Sequence, residues 1–319
     1  MDAGEQRRSR ARAKSGRDRA DAVRGGVAGL REWLLDLADG GIAGLPGRDG
    51  AWWQAIAARM VDAQARGLAS AITELSGLVA AAGPRWAEEA ADRIGGLYLL
   101  CQLAERAWRT DDELAAVVRG RLGFTVPEAE VLAGDGWRDR WVPLLRVEED
   151  DGPVRTLRQF AVGRERGEWV VVVRHAVGGA RPAAALPHGS ETDAVLHPYP
   201  GATPRRVAVG EVIDSAPPGP VAVPADWRAA MAGLTEVLLA DPWRRLHPVG
   251  CAGLRLTLGD APVAVDRAGA ALPVRADRAF ELTLALTGGR RFDGWGLWDG
   301  RTLRLGAVAE PGSGPQVVG

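Results

Sequence analysis

Four histidines, His175, His188, His197 and His247, are the residues best able to bind metal or move protons. Each lies in or beside a strand pattern or a Pro/Gly turn, with no second ligand at metal spacing. His197 and His247 both precede proline, which favours extended backbone over a helical ligand pair. The run Glu148-Glu149-Asp150-Asp151 offers the oxygen donors that calcium and magnesium take. It lacks the alternate-residue spacing and central glycine of an EF-hand loop, so a solvated hairpin turn is the simpler reading. Gly288-Gly289-Arg290-Arg291 could hold an anion on its backbone amides. Between two strand patterns it reads as a hairpin loop. No P-loop, dinucleotide fingerprint, HExxH or GxSxG pattern occurs. Cys101 and Cys251 are the only cysteines, which excludes a multi-cysteine zinc site and suggests buried thiols in a reducing compartment. These residues predict no enzyme, no metal and no cofactor. A catalytic reading would need a pocket where two or more of Glu148, Asp150, His175 and His197 converge.

Recognition chemistry is better supplied. The chain has 12 tryptophans against four phenylalanines and two tyrosines, and several fall in pairs, Trp52/Trp53 among them. Most must be core, because burying an indole contributes a few kcal/mol. Trp53, Ile56, Ala57, Met60, Gln64, Leu68, Ile72 and Leu75 recur at steps of three and four, which predicts one helix over 52–75 with a single core face. Trp52 stands about 100° round the axis from Trp53, so both indoles cannot enter the same core. Arg59 and Asp62 are spaced to pair on the neighbouring face. Interface hot spots are enriched in Trp and Arg. Trp52, Arg59, Asp62 and Gln64 are therefore the candidate partner-binding residues.

The first 26 residues carry Arg7, Arg8, Arg10, Arg12, Lys14, Arg17, Arg19 and Arg24 against four carboxylates, a local balance of +4 in a chain of net charge -1. Arg7, Arg8, Arg10, Arg12 and Lys14 are the candidate nucleic-acid contacts, through charge alone. The alternative is a solvated tail or helical linker. No segment approaches about 18 uninterrupted apolar residues, and the arm has no signal-peptide core. A cytoplasmic protein with no membrane partner is expected.

The elements that must hold these residues follow from periodicity. Val27, Leu30, Leu34 and Leu37 make a helical stripe ended by Gly40-Gly41, and Trp86, Ala90, Ile94, Leu97 and Cys101 another. Thr110, with Glu113 three residues on, predicts a capped helix start. Pro127 opens a further helix. After Gly136 the period turns to two. Strands are expected over 137–147, 154–162, 169–173, 193–196 and 206–212. A helix over Pro224–Ala240 and short strands at 252–258, 262–266, 281–286, 293–298 and 302–308 complete the chain. The expected architecture is α+β: a linker over 1–26, a helical domain over 27–136, a β-rich α+β domain with one clear helix over 137–311, and a frayed tail over 312–319.

Seven runs, GLREWLLDLADGGIAGL (29–45), WWQAIAARMVDAQARGLA (52–69), RIGGLYLL (93–100), DRWVPLLRVEEDD (139–151), HPYPGATPRR (197–206), LADPWRRLHP (239–248) and GWGLWDGRTLRL (294–305), together resemble the C-terminal region of bacterial SWIM zinc-finger proteins. MVDAQA followed by GLA is the most specific piece. Where the family has proline after MVDAQA this chain has Arg66, so any kink there would fall to Gly67. The finger itself, with three cysteines and a histidine, has no counterpart, and zinc binding does not carry over. The resemblance implies an interaction or scaffold role beside a MoxR-type AAA+ ATPase and von Willebrand factor A (VWA) proteins. The alternative is an accessory protein that binds nucleic acid through the basic arm.

Overall fold

The computed structural model describes residues 3–150, 154–259 and 261–319, with side chains from Lys14 onward. Two compact units meet between Thr125 and Val126. The first is helical and the second is rich in sheet, which makes the chain α+β.

Helix α1 runs unbroken from Ala3 to Gly40. Residues 3–26 of the arm, expected as a disordered or helical linker, are thus the first part of this helix. Val23 is fully buried, in line with the buried Val27, Leu30 and Leu34, at steps of four, three and four. Each such side chain contributes roughly 1.5–3 kcal/mol when buried, so this stripe, not the arm's charge, decides where α1 docks. Gly26 lets the next helix come close: a Cβ there would stand 2.6 Å from the Ala63 Cβ.

That next helix is two helices rather than one. Helix α2 covers Gly50–Asp62, with the Asp49 carboxylate accepting from the Trp52 N–H at 2.8 Å. Helix α3 covers Arg66–Ala81. Between them Gln64 adopts a left-handed φ of 59°. The Gln64 N–H donates to the Val61 carbonyl and the Ala65 N–H to the Met60 carbonyl, both at 2.8 Å. These two bonds make a Schellman ending. Gln64 is therefore exposed at a turn, not part of the core stripe. Gly67 is not the kink either. It lies inside α3, where a Cβ would fall 1.9 Å from the Arg121 carbonyl oxygen.

Helices α4 (Trp86–Ala107) and α5 (Glu113–Leu122) finish the unit. The cap of α5 is Asp112, whose carboxylate accepts from the Ala115 N–H at 2.8 Å. Thr110, the expected cap, instead donates its hydroxyl to the Arg106 carbonyl at 3.3 Å. Gly123, at φ 106°, ends α5.

Helix α6 (Glu128–Leu132) follows Pro127 and belongs to the second unit, because Val131 packs with Tyr199 and Ala208. Strands β1 (Trp137–Asp150), β2 (Val154–Gly163), β3 (Trp169–Val177), β4 (Glu191–Pro198) and β5 (Arg205–Ala216) close into a barrel of order β1-β2-β3-β5-β4. Closure depends on a parallel pairing of Val170–Val172 with Arg205–Val207. Trp141 is fully buried in the barrel core, and its indole N–H donates to the Ala194 carbonyl at 3.1 Å. The connection from β3 to β4 sends Leu186 into the same core. Gln159 holds it there, accepting from the Ala185 N–H at 2.7 Å and donating to the Leu186 carbonyl at 2.8 Å. A buried amide satisfied on both sides holds that loop because its hydrogen bonds offset the cost of desolvation.

The expected helix over Pro224–Ala240 is divided at Gly233 into α7 (Trp227–Ala232) and α8 (Leu234–Ala240). Next come β6 (His247–Thr257), β7 (Val263–Val265), β8 (Ala271–Pro273), α9 (Arg278–Thr287), β9 (Phe292–Trp298), β10 (Leu303–Ala309) and β11 (Gln316–Val317). The strands form one sheet of order β11-β10-β9-β6-β7-β8. Residues 281–286, expected as a strand, belong to α9. The Asp277 carboxylate caps that helix, and Gly288 ends it in the left-handed region. The run from Gly288 to Arg291 therefore follows a helix rather than joining two strands. The tail is not frayed: Val318 is buried in the core and its N–H donates to the Gly306 carbonyl at 2.8 Å. Among the described residues no helix is long and apolar enough to cross a membrane.

The two glycines of α3 separate packing from propensity. A Cβ at Gly77 would meet nothing within 4 Å. Gly77→Ala is expected to raise stability by about 0.5–1 kcal/mol, the cost of glycine inside a helix. Gly67→Ala is expected to lower it by about 1–3 kcal/mol through overpacking against backbone. Urea unfolding midpoints of the two variants check both signs.

Candidate interaction site in the helical unit

Asp49 starts α2 so that Trp52 and Trp53 project next to Trp33 of α1. The ring centroids of Trp33 and Trp52 lie 5.4 Å apart, those of Trp52 and Trp53 4.9 Å, and those of Trp33 and Trp53 6.4 Å. Trp53 is the buried member, whereas Trp33 and Trp52 are partly exposed. The exposed Arg48 guanidinium lies over the Trp52 ring at 5.0 Å. The predicted division of the pair, one indole in the core and one at its edge, is what the packing produces.

Arg59 is seven residues along α2 from Trp52, hence nearly on the same face. Its Nη2 would stand 3.4 Å from a Cβ on Gly29 of α1. No salt bridge joins Arg59 and Asp62 among the described residues. Glycine at 29 leaves the guanidinium room to lie along α1, and Asp62 is left exposed. Gln64 is at the far end of α2, so the structure places Trp52 and Arg59 on one edge and Gln64 elsewhere.

Gln64 instead lines an open cleft of about 550 Å³, together with Arg19, Val61, Arg66, Ser70 and Thr125. No carboxylate is among its lining residues. Val61 is half exposed, at 50 %. Arg19 is fixed by donating Nη2 to the Gly123 carbonyl at 2.9 Å, with its guanidinium over Phe124 at 4.6 Å. Phe124 meets Trp108 edge-on at 5.2 Å, and Arg24 lies over Trp108 at 5.3 Å. Two arginines of the basic arm are thus spent on aromatic rings inside this unit. Lys14 is exposed; the side chains of Arg7, Arg8, Arg10 and Arg12 lie outside the described residues. The arginine–aromatic stacks and the cleft are what the sequence reasoning missed. Their signal was Arg19, four residues before Val23, which continues the α1 stripe by one further turn.

Of the residues considered for catalysis, Asp150, His175 and His197 each have a different partner. Asp150 pairs with Arg155 at 3.0 Å, and Glu149 pairs with Arg158. Residues 151–153 of the acidic turn lie outside the described residues. His175 shares a hydrogen bond with the Thr156 hydroxyl at 3.0 Å, and His197 with the Gly134 carbonyl at 3.1 Å. Among the described residues no group of three or more His, Cys, Asp or Glu is placed to hold a metal ion. Both thiols are buried, and burial pushes Cys101 up to about 11 and Cys251 to about 12.

A left-handed non-glycine residue costs roughly 1–2 kcal/mol, and here it occupies a position that faces a cleft. Gln64→Gly relieves that strain but loosens the unfolded chain by about 0.4–1 kcal/mol. The expected net is a gain of about 0.5 kcal/mol in unfolding free energy, read from thermal and urea midpoints. A loss of stability would show that the Gln64 side chain is structural.

Residues 18–122 match the family described as the SWIM-associated four-helix bundle domain. The match ends at Leu122, the last residue of α5. No curated protein and no solved structure matches the chain. Over residues 18–122, then, about a third of its length, the chain is similar to the SWIM-associated four-helix bundle domain.

Proposed function

We propose that the chain is a non-enzymatic protein-interaction module, acting as a scaffold component of an assembly with a MoxR-type AAA+ ATPase and VWA proteins. The observation that carries this reading is the stack of Arg48 on the partly exposed Trp52, itself backed by Trp33. An arginine and two indoles held at the surface by packing are the composition of a binding hot spot. They are also pre-ordered, so a partner does not bear the entropy of fixing them. The partner class rests on the family resemblance alone, which implies an assembly around such an ATPase.

The test is affinity capture from native lysate, with nuclease present, followed by mass spectrometry for the AAA+ ATPase. Wild type is expected to recover it. Trp52→Ala and Arg48→Ala are each expected to reduce recovery about tenfold or more, the cost of losing one hot-spot residue. Arg48 is exposed, so its variant keeps the fold even where Trp52→Ala loosens the aromatic cluster. Circular dichroism confirms folding. Recovery unchanged in both folded variants would rule out this edge as the interface, and recovery abolished by nuclease would favour the basic arm.

A further inference from the structure

The second unit contains an apolar pocket of about 270 Å³ that none of the interaction chemistry above uses. Its walls include Trp169 of β3, Trp295 of β9, the prolines Pro204 and Pro224, Val237 of α8 and His247 of β6. Flat indole and proline surfaces on several sides suit a planar ring better than a flexible chain. An engineered apolar cavity of roughly 150 Å³ stays dry and takes benzene, so this volume accommodates a fused bicyclic ring. Ligand sites of this kind are mostly apolar, with a few polar groups that orient the guest.

His247 supplies the polar group. It is 6 % exposed. Its ring makes a hydrogen bond to the Arg244 backbone, and its Nδ1 is buried with no hydrogen-bond partner. Burial, reinforced by the nearby Arg244 charge, holds the imidazole below its ordinary pKa and hence neutral near pH 7. A neutral imidazole carries one unprotonated ring nitrogen, and in the tautomer that leaves Nδ1 bare this atom is a lone-pair acceptor. A buried acceptor without a donor calls for an explanation, and a guest carrying a donor provides one.

We infer that this pocket is a binding site for a small planar aromatic molecule bearing one N–H or O–H donor, held against the lining Trp169 and Trp295 and hydrogen-bonded to His247. Arg244 donates Nη2 to the carbonyl of Pro204 at 3.0 Å, which holds one lining residue in place before a guest arrives. Gly233 gives a clean way to fill the space. Its φ is -82°, ordinary for any residue, and a Cβ there would meet nothing within 4 Å.

The experiment is calorimetric titration of the full chain with indole and with N-methylindole, which lacks the donor. Wild type is expected to bind indole saturably and about tenfold more tightly than N-methylindole, the factor for one well-placed hydrogen bond. Gly233→Leu is expected to abolish both titrations. His247→Phe is expected to leave the two compounds with equal affinity. Absence of saturable indole binding, binding unchanged in Gly233→Leu, or equal affinities in wild type would each overturn the assignment.

Discussion

The helical unit depends on one backbone contact that leaves no room for a side chain. At the start of α3, Gly67 lies so close to the Arg121 carbonyl that a methyl group cannot be placed between them. This approach sets the distance between α3 and the end of α5, and hence the position of Gly123 and Phe124. Arg19 can then reach the Gly123 carbonyl and the Phe124 ring from α1. The break between α2 and α3 is the other half of the same constraint. A continuous helix would carry the residues after Met60 along the α2 axis, and the left-handed Gln64 redirects the chain so that Gly67 meets α5. The cleft follows from this geometry, lined by residues that the turn and the close contact bring together.

In the second unit, buried carboxylates and amides take the place of that contact. Asp139 accepts from three backbone N–H groups, of Arg140, Glu165 and Arg166, and so fixes the turn between β2 and β3. Asp266 accepts from the Trp227 and Ala270 N–H groups, and the Trp227 indole donates to the Ala264 carbonyl. A charged acceptor on backbone donors forms short, strong hydrogen bonds. Loops that a sheet alone would leave free are held at fixed places beside the aromatic walls.

Much of this architecture was legible in the sequence where one side-chain period persisted. The stripe of α1, the long α4 and the barrel strands showed their periods of 3.6 and 2 plainly. The failures share a cause: a local signal carried by backbone rather than by side chains. Gln64 ends α2 with no glycine or proline to announce it, while Gly67, which resembled a breaker, serves packing. Leu282, Leu284 and Leu286 alternate like a strand, yet the Asp277 cap and the Thr283 and Thr287 hydroxyls bonding carbonyls one turn back make the segment α9. Barrel closure by a short parallel pairing leaves no trace in local pattern at all. For the candidate site, Trp52 at the core edge was readable from the helical angle. The cleft was not, because it joins residues from separate helices, nor was the Arg48 stack, because Arg48 lies in the loop before α2, where helical periodicity gives no guide.

The three-indole cluster has an optical consequence. Trp33, Trp52 and Trp53 lie with centroids 4.9 to 6.4 Å apart and with interplanar angles of 45°, 69° and 87°. Strong transitions so close together and so skewed mix into excitons, and a chiral arrangement of them gives a paired positive and negative band in the ultraviolet dichroism. The docking of α1 on α2 thus carries its own spectroscopic signature, read without a label and separable from the helical signal by its dependence on two aromatic chromophores at once.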